Sequence, residues 1–187
     1  MSLPERKHHR LKNYDYSQNG AYFITICSFQ KLHIFGEISD GTMHYSEFGK
    51  IVCEEIEETN NLRSRHGITI TNWIVMPNHV HLLIEISHDT LFDTNPYPQY
   101  EYFAKPTKQS IATIIRSFKS SATKKIHSLQ EAEFSQTSGG HGTPCPYIIW
   151  QKGYYDNIIK NEAMYEKVWN YIDTNPVSWH DDCYNEP

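Results

Sequence analysis

The sequence predicts an α+β domain, an antiparallel sheet with helices packed mainly on one face, and three observations carry that prediction. β-branched and aromatic runs recur with turn dipeptides between them. Amphipathic stripes with a period near 3.6 residues alternate with those runs, as layered α+β chains require. The 187 residues suffice for one sizeable core and hardly for two. One domain is therefore expected over 1–187, with a basic arm at 1–13, surface loops at 87–107 and 128–146, and a short C-terminal tail at 177–187.

The first strand is "AYFITICSF" (21–29), apolar on both faces and hence central in its sheet. "LHIFGEI" and "TMHYS" follow as a weaker pair joined at Asp40-Gly41, where glycine accepts the positive φ of a tight hairpin. Ser46 caps the next helix, whose stripe is Phe48, Ile51, Val52, Ile56 and Leu62 and which ends at His66-Gly67. "ITITNWIVM" (68–76) and "HVHLLIEI" (79–86) flank the turn dipeptide Pro77-Asn78 and read as an antiparallel hairpin. Residues 87–107 are rich in Pro, Tyr, Asn and Asp without periodicity, which marks a loop. A second helix runs from about Ser110 to His127, with Ile111, Ile114, Ile115, Phe118, Ala122 and Ile126 in one narrow stripe. After the second loop come the apolar "YIIW" and "GYYDNIIK". Asn161 then caps a last helix with the stripe Tyr165, Val168, Trp169 and Ile172, ended by Asn175-Pro176.

Composition narrows the function classes. No apolar run approaches the roughly 20 residues that cross a bilayer, and the basic start has no apolar segment behind it, so the chain is expected to be soluble, cytoplasmic and without a membrane partner. Cys27, Cys53, Cys145 and Cys183 are scattered without a C-x-x-C spacing, which points to free thiols and away from a zinc knuckle. The net charge of −5 argues against a polyanion partner only when taken as a whole. Arg6, Lys7, Arg10 and Lys12 crowd the N-terminus, and Lys105, Lys108, Arg116, Lys119, Lys124 and Lys125 follow one another with no acid among them. That asymmetry permits a phosphate-binding groove on an acidic protein, and it is equally what ordinary solvated faces look like.

"MPNHVHLLI" (76–84) sets His79 and His81 on one face of a central strand, about 7 Å apart along the chain. Two neutral imidazoles can share one cation, and a third ligand must then come from elsewhere. Hydrogen-bonded histidines in a half-buried sheet are the plainer alternative. On the last helix, at ~100° per residue, Tyr171 and Asn175 share the flank beside the apolar stripe. There they can offer a nucleophile and an oxygen ligand, or Tyr171 can be a boundary residue like many tyrosines.

Taken with "YDYSQNGAYFITICS" before it and "IIWQKGYYDNII" and "YIDTNP" after it, "MPNHVHLLI" resembles the HUH single-tyrosine transposases, and among them the REP-associated tyrosine transposase branch. The resemblance runs from Tyr14 to about Pro176. It implies that His79 and His81 are metal ligands, that Tyr171 is the nucleophile, and that Asn175 is the third ligand, where the related insertion-sequence transposases usually carry Gln. The expected fold is then a ferredoxin-like antiparallel sheet with the His-x-His motif on a central strand. The implied cofactor is a divalent ion, Mg or Mn, and the implied partner is single-stranded or hairpin DNA. Cleavage and rejoining would pass through a 5′-phosphotyrosine and need no nucleotide cofactor. The helix carrying Arg116, Lys119 and Lys124 and the arm carrying Arg6, Lys7, Arg10 and Lys12 are the expected contacts to the DNA backbone.

Relatives differ in assembly, so monomer and homodimer both stand. Three other readings compete with the transposase. A histidine-triad hydrolase would want a third alternating histidine, but position 83 is Leu. A replication initiator or relaxase uses the same chemistry, usually with extra domains. A non-catalytic or domesticated hairpin-DNA binder would have no use for His79, His81, Tyr171 and Asn175 together.

Overall fold

The computed structural model describes residues 14–88, 107–136 and 148–185. In chain order these form β1 (Gly20–Cys27), β2 (Gly36–Ser39), β3 (Thr42–Tyr45), α1 (Glu47–Ser64), β4 (Ile68–Val75), β5 (His79–Ile86), α2 (Ile111–Gln136), β6 (Tyr155–Ile159) and α3 (Glu162–Thr174). The main sheet has the order β4-β5-β1-β6 with every neighbour antiparallel. Set aside the separate β2-β3 hairpin and α3, and the remaining β1-α1-β4-β5-α2-β6 is the ferredoxin-like arrangement expected, with the His-x-His strand inside the sheet.

The two faces of the sheet bury different things because side chains alternate along a strand. Tyr22, Ile24 and Ile26 of β1 and Val80, Leu82, Ile84 and Ile86 of β5 form one core with Val52 and Ile56 of α1 and Ile111, Ile114, Ile115, Phe118, Ala122 and Ile126 of α2. Full burial of each such aliphatic is worth about 1.5–3 kcal/mol, so this face supplies most of the stability. The other face carries Phe23 and Leu83, covered by Val168 and Ile172 of α3. His79 and His81 have the parity of Leu83 and lie on that second face, opposite Cys27 and Thr25 of β1 respectively.

Local signals explain the element ends. Ser46 caps α1 by accepting from Gly49 N at 3.1 Å, and Asn161 caps α3 by accepting from Met164 N at 2.9 Å. Asp40 (φ 52) and Gly41 (φ 70) are both left-handed, as a two-residue hairpin turn with the twist of its strands demands. The Pro77-Asn78 turn is fastened on three sides: Met76 N donates to His79 O, Phe35 N to Pro77 O and Ser28 N to Asn78 O, at 2.8, 3.0 and 2.8 Å. These bonds fix the register, and a slip of one residue would send both histidines to the opposite face.

Several expectations need correction. β1 stops at Cys27 rather than continuing to Phe29, because the chain turns through Gln30 (φ 53) and Lys31 (φ 55). α2 does not end at His127 but runs on to Gln136, so the loop expected at 128–146 is helical in its first part. The sequence there, "SLQEAEFSQ", has lost the regular apolar stripe yet holds strong helix formers and no Gly or Pro, and propensity carries the helix on. The tail expected at 177–187 is, through residue 185, a segment folded back on the site with a turn of 3₁₀-helix at Trp179–Asp181, and 186–187 lie outside the described residues. Residues 89–106 of the loop at 87–107, and the arm with Arg6, Lys7, Arg10 and Lys12, lie outside the described residues. Cys27, Cys53 and Cys183 carry free thiols. Among the described residues no helix is long and apolar enough to cross a membrane.

Gly49 sits inside α1 where an added Cβ would meet the Phe35 carbonyl oxygen. Alanine in a helix interior ordinarily stabilises by roughly 0.5–1 kcal/mol, but a steric clash of this kind costs about 1–3 kcal/mol. Gly49→Ala should therefore lower the urea denaturation midpoint. A raised midpoint would mean that the Phe35 segment gives way without penalty.

Candidate active site

The site begins with the orientation of two rings. His79 and His81 are fully buried, and their Nε2 atoms lie 3.0 Å apart. His79 Nδ1 is 2.8 Å from Asn78 Oδ1. The Asn78 amide nitrogen donates to Lys31 O at 3.2 Å and to Tyr184 O at 2.8 Å, so the end of Asn78 that faces His79 is the oxygen. An amide oxygen only accepts. His79 therefore carries its proton on Nδ1 and keeps the Nε2 lone pair for something else. His81 Nδ1 faces the Thr25 hydroxyl at 2.9 Å, a group that can donate or accept and so allows His81 either tautomer. Ring-orienting partners of this kind are what ligating histidines have behind them.

Burial keeps both rings neutral. It pulls His79 down to about 4, against the opposing pull of the Asp182 carboxylate. It also pulls His81 well below the usual imidazole range, with His79 adding to the effect. Neutral imidazole is the ligating form. Two nitrogens bound to one ion at about 2.1 Å and at right angles stand roughly 3 Å apart, which is the separation of this pair.

The second half of the site comes from α3 and the segment behind it. Val168 and Ile172 seat α3 on Leu83 and Phe23. Tyr171, on the flank of that stripe, sets its ring 5.2 Å from His81 and 6.0 Å from Phe23. One turn on, Asn175 is the C-cap and is fully buried. The chain then folds back and brings Asp182 over both. Asp182 Oδ2 accepts from Tyr171 Oη at 3.1 Å and from Asn175 Nδ2 at 2.8 Å, while Oδ1 accepts from Tyr184 N at 2.7 Å. Tyr184 lays its ring 4.6 Å from His79. Burial and the Asp182 carboxylate raise the Tyr171 hydroxyl well above the ordinary phenol value, and burial raises Tyr184 to about 12.

These residues fit a divalent cation. One ligand atom each from His79, His81 and Asp182 lie within 4.8 Å of one another. Asn175 Oδ1 is buried and has no hydrogen-bond partner among the described residues, an arrangement that costs about 1–3 kcal/mol unless something binds it. Two imidazoles and an amide oxygen suit Mn²⁺ or a later divalent ion better than Mg²⁺, which prefers oxygen throughout.

The structure thus gathers His79, His81, Tyr171 and Asn175. It does not gather the basic residues of α2. Arg116, Lys119 and Lys124 belong to the helix on the opposite face of the sheet from the histidines. Arg116 and Lys124 are exposed there. Lys119 instead donates to Gln151 O and Gly153 O at 2.7 and 2.8 Å, bracing the segment before β6, and its burial pulls the ammonium down to about 8. Lys125, in the same basic run, is tied to Glu55 and Glu58 of α1 at 2.8 and 2.7 Å. Asp182, Tyr184 and Thr25 belong to the site and have no sequence signal pointing to them. Asn78 reads from sequence as a turn residue only, although its position next to His79 is the hint.

No protein-family model matches the chain. An uncharacterised protein of Haemophilus influenzae is 31% identical over 183 residues, covering 96% of this chain and 93% of that protein. Among solved structures, a REP-associated tyrosine transposase bound to a REP hairpin superposes with a TM-score of 0.56 at 15% identity, over 91% of this chain and 73% of that one, and shares the fold. A candidate transposase of Deinococcus radiodurans, at a TM-score of 0.44 and 13% identity over 88% of this chain and 96% of that one, is too distant to carry an argument.

Neutral burial of His79 has a measurable cost in acid. Its folded value near 4 lies below the unfolded 6.5, so the unfolded chain binds the proton first. Its contribution is complete above about pH 6.5 and lost as pH falls toward 4, a loss of about 3 kcal/mol. Urea denaturation in chelator should show the wild type losing stability faster than His79→Gln across that window. Parallel curves would contradict the buried neutral ring.

Proposed function

The chain belongs to one protein family with its Haemophilus influenzae relative, and we propose that it is a transposase-like enzyme of the HUH tyrosine class, a divalent-metal-dependent transesterase that cleaves and rejoins single-stranded DNA at hairpin elements. The observation that carries this reading is the convergence of a tyrosine hydroxyl, two neutral imidazoles and an amide oxygen without a partner among the described residues around one carboxylate. Hairpin DNA as the substrate class rests on the solved neighbour of the same fold, which was captured with a REP hairpin.

His79, His81 and Asn175 would hold the cation, and Asp182 accepts from the Asn175 amide nitrogen behind it. When bound, it supplies charge to the scissile phosphate and to the departing oxygen. The rest of the chemistry falls to the side chains. Tyr171 is a poor nucleophile while protonated, and Asp182 Oδ2 already accepts its hydrogen bond, which gives the proton a destination as the phenol oxygen attacks. A bond forms from Tyr171 oxygen to phosphorus and the bond from phosphorus to the 3′ oxygen breaks, leaving a 5′-phosphotyrosine and a 3′ oxygen that takes a proton from solvent to become a free hydroxyl. The phosphodiester bond energy is kept in the adduct, so a later 3′-hydroxyl can reverse the step onto another strand without a nucleotide cofactor. The Leu83, Val168 and Ile172 contact behind the site keeps α3 seated so that the phenol stays beside His81.

The reading is tested by incubating a hairpin-bearing single-stranded oligonucleotide with Mn²⁺ and resolving the covalent adduct on a denaturing gel. Tyr171→Phe should bind the DNA and give no adduct, and Tyr184→Phe should still give one. An adduct that survives Tyr171→Phe and vanishes with Tyr184→Phe would move the nucleophile to Tyr184. His79→Ala with His81→Ala should abolish metal-dependent cleavage, and undiminished cleavage in chelator would overturn the metal requirement.

Arg116 and Lys124 are proposed as backbone contacts for a paired stem. Converting both to Gln should reduce the slope of log affinity against log salt by roughly 2. An unchanged slope would return them to ordinary solvated residues.

A further inference from the structure

Asp182 holds its place through a chain of hydrogen bonds. Its Oδ1 accepts from Tyr184 N, Tyr184 O accepts from Asn78 Nδ2, and Asn78 Oδ1 fixes His79. Its Oδ2 then accepts from both Asn175 Nδ2 and the Tyr171 hydroxyl. The two ends of an asparagine amide are nearly identical in shape and opposite in chemistry: only the oxygen can bind a cation, and only the nitrogen can donate to a carboxylate. Asn175 is fully buried, so no water competes to orient it.

We propose that Asp182 is a positioning residue that acts through Asn175, holding the amide by its nitrogen so that its oxygen is the end presented to the cation. The same carboxylate oxygen keeps the Tyr171 hydroxyl in register with that amide, so ligand and nucleophile are aligned by one group. This rests on the reading of the histidine pair as a cation site. The residue comes from the C-terminal segment, beyond the Tyr14–Pro176 stretch whose motifs carry the resemblance, and it faces Asn175, whose amide offers both a nitrogen and an oxygen.

The test is Mn²⁺ binding by isothermal titration calorimetry on the full chain without DNA. Asp182→Ala should weaken Mn²⁺ by about tenfold or more, the usual effect of removing a partner that orients a ligand. Asp182→Asn retains an acceptor oxygen and should keep most of the affinity. Asn175→Ala should weaken Mn²⁺, and adding Asp182→Ala to it should cause no further loss, because no amide is left to orient. A further loss in that double variant would make Asp182 a ligand in its own right and overturn the proposal. So would unchanged affinity in Asp182→Ala, or an Asp182→Asn as weak as Asp182→Ala. Thermal melts monitored by circular dichroism separate these effects from unfolding, and the comparison within the Asn175→Ala background holds the fold constant. A wild type that binds no Mn²⁺, or a His79→Ala/His81→Ala variant that binds it as tightly as the wild type, would remove the cation site itself and with it the proposed function.

Discussion

The site depends on a single side-chain amide, that of Asn78. Its nitrogen is committed to two backbone carbonyls, Lys31 O and Tyr184 O, which leaves its oxygen for His79. One buried side chain therefore sets an imidazole tautomer, anchors the turn after β1 and ties down the C-terminal segment. A buried amide with all its partners made is rigid, and one with a partner missing is costly. The consequence is that the histidine strand and the C-terminal segment cannot move independently while Asn78 keeps its bonds.

Around that anchor the sheet separates folding from chemistry. The face beneath α1 and α2 is continuous aliphatic and aromatic core, and it explains why β1 and β5 are apolar at every second position. The other face breaks its apolar pattern at Thr25, His79 and His81, where buried polar groups are tolerated because each has a partner. Burial that would be a liability for charged histidines becomes the means of keeping them neutral, so the desolvation that costs stability in acid maintains the ligating form at neutral pH.

Much of this was readable in the sequence where the cause is local. Ser46 and Asn161 cap the helices they precede, Asp40-Gly41 makes its hairpin, and the parity of His79 and His81 follows from strand alternation alone. Tyr171 and Asn175 share a flank by helical angle, but their link to the histidines came from resemblance, since no spacing rule joins residues so far apart in the chain. Asp182 was illegible for the same reason: its role exists only once the chain after Pro176 folds back. Lys119 and Lys125 show the opposite error. A basic run looks like a binding surface when partners are invisible, yet one lysine is bound to backbone carbonyls and the other to Glu55 and Glu58. The end of α2 is hard to read because propensity, not a regular apolar stripe, extends it past His127.

The seating of α3 differs in kind from that of the histidine strand. His79 and His81 belong to a strand paired on both sides, and they persist as long as the sheet does. Tyr171 and Asn175 ride on a helix whose buried apolar anchors are Val168 and Ile172, a contact worth a few kcal/mol at about 1.5–3 kcal/mol for each side chain. Tyr165 Oη donating to Glu85 and Asn72 Nδ2 donating to Asp173 add polar ties to that contact. The two halves of the site thus differ in what must break to lose them: the histidine half goes only with the sheet, whereas the tyrosine half goes when α3 lifts, with Val168, Ile172 and the bonds of Tyr165 and Asn175 released and the strands still paired.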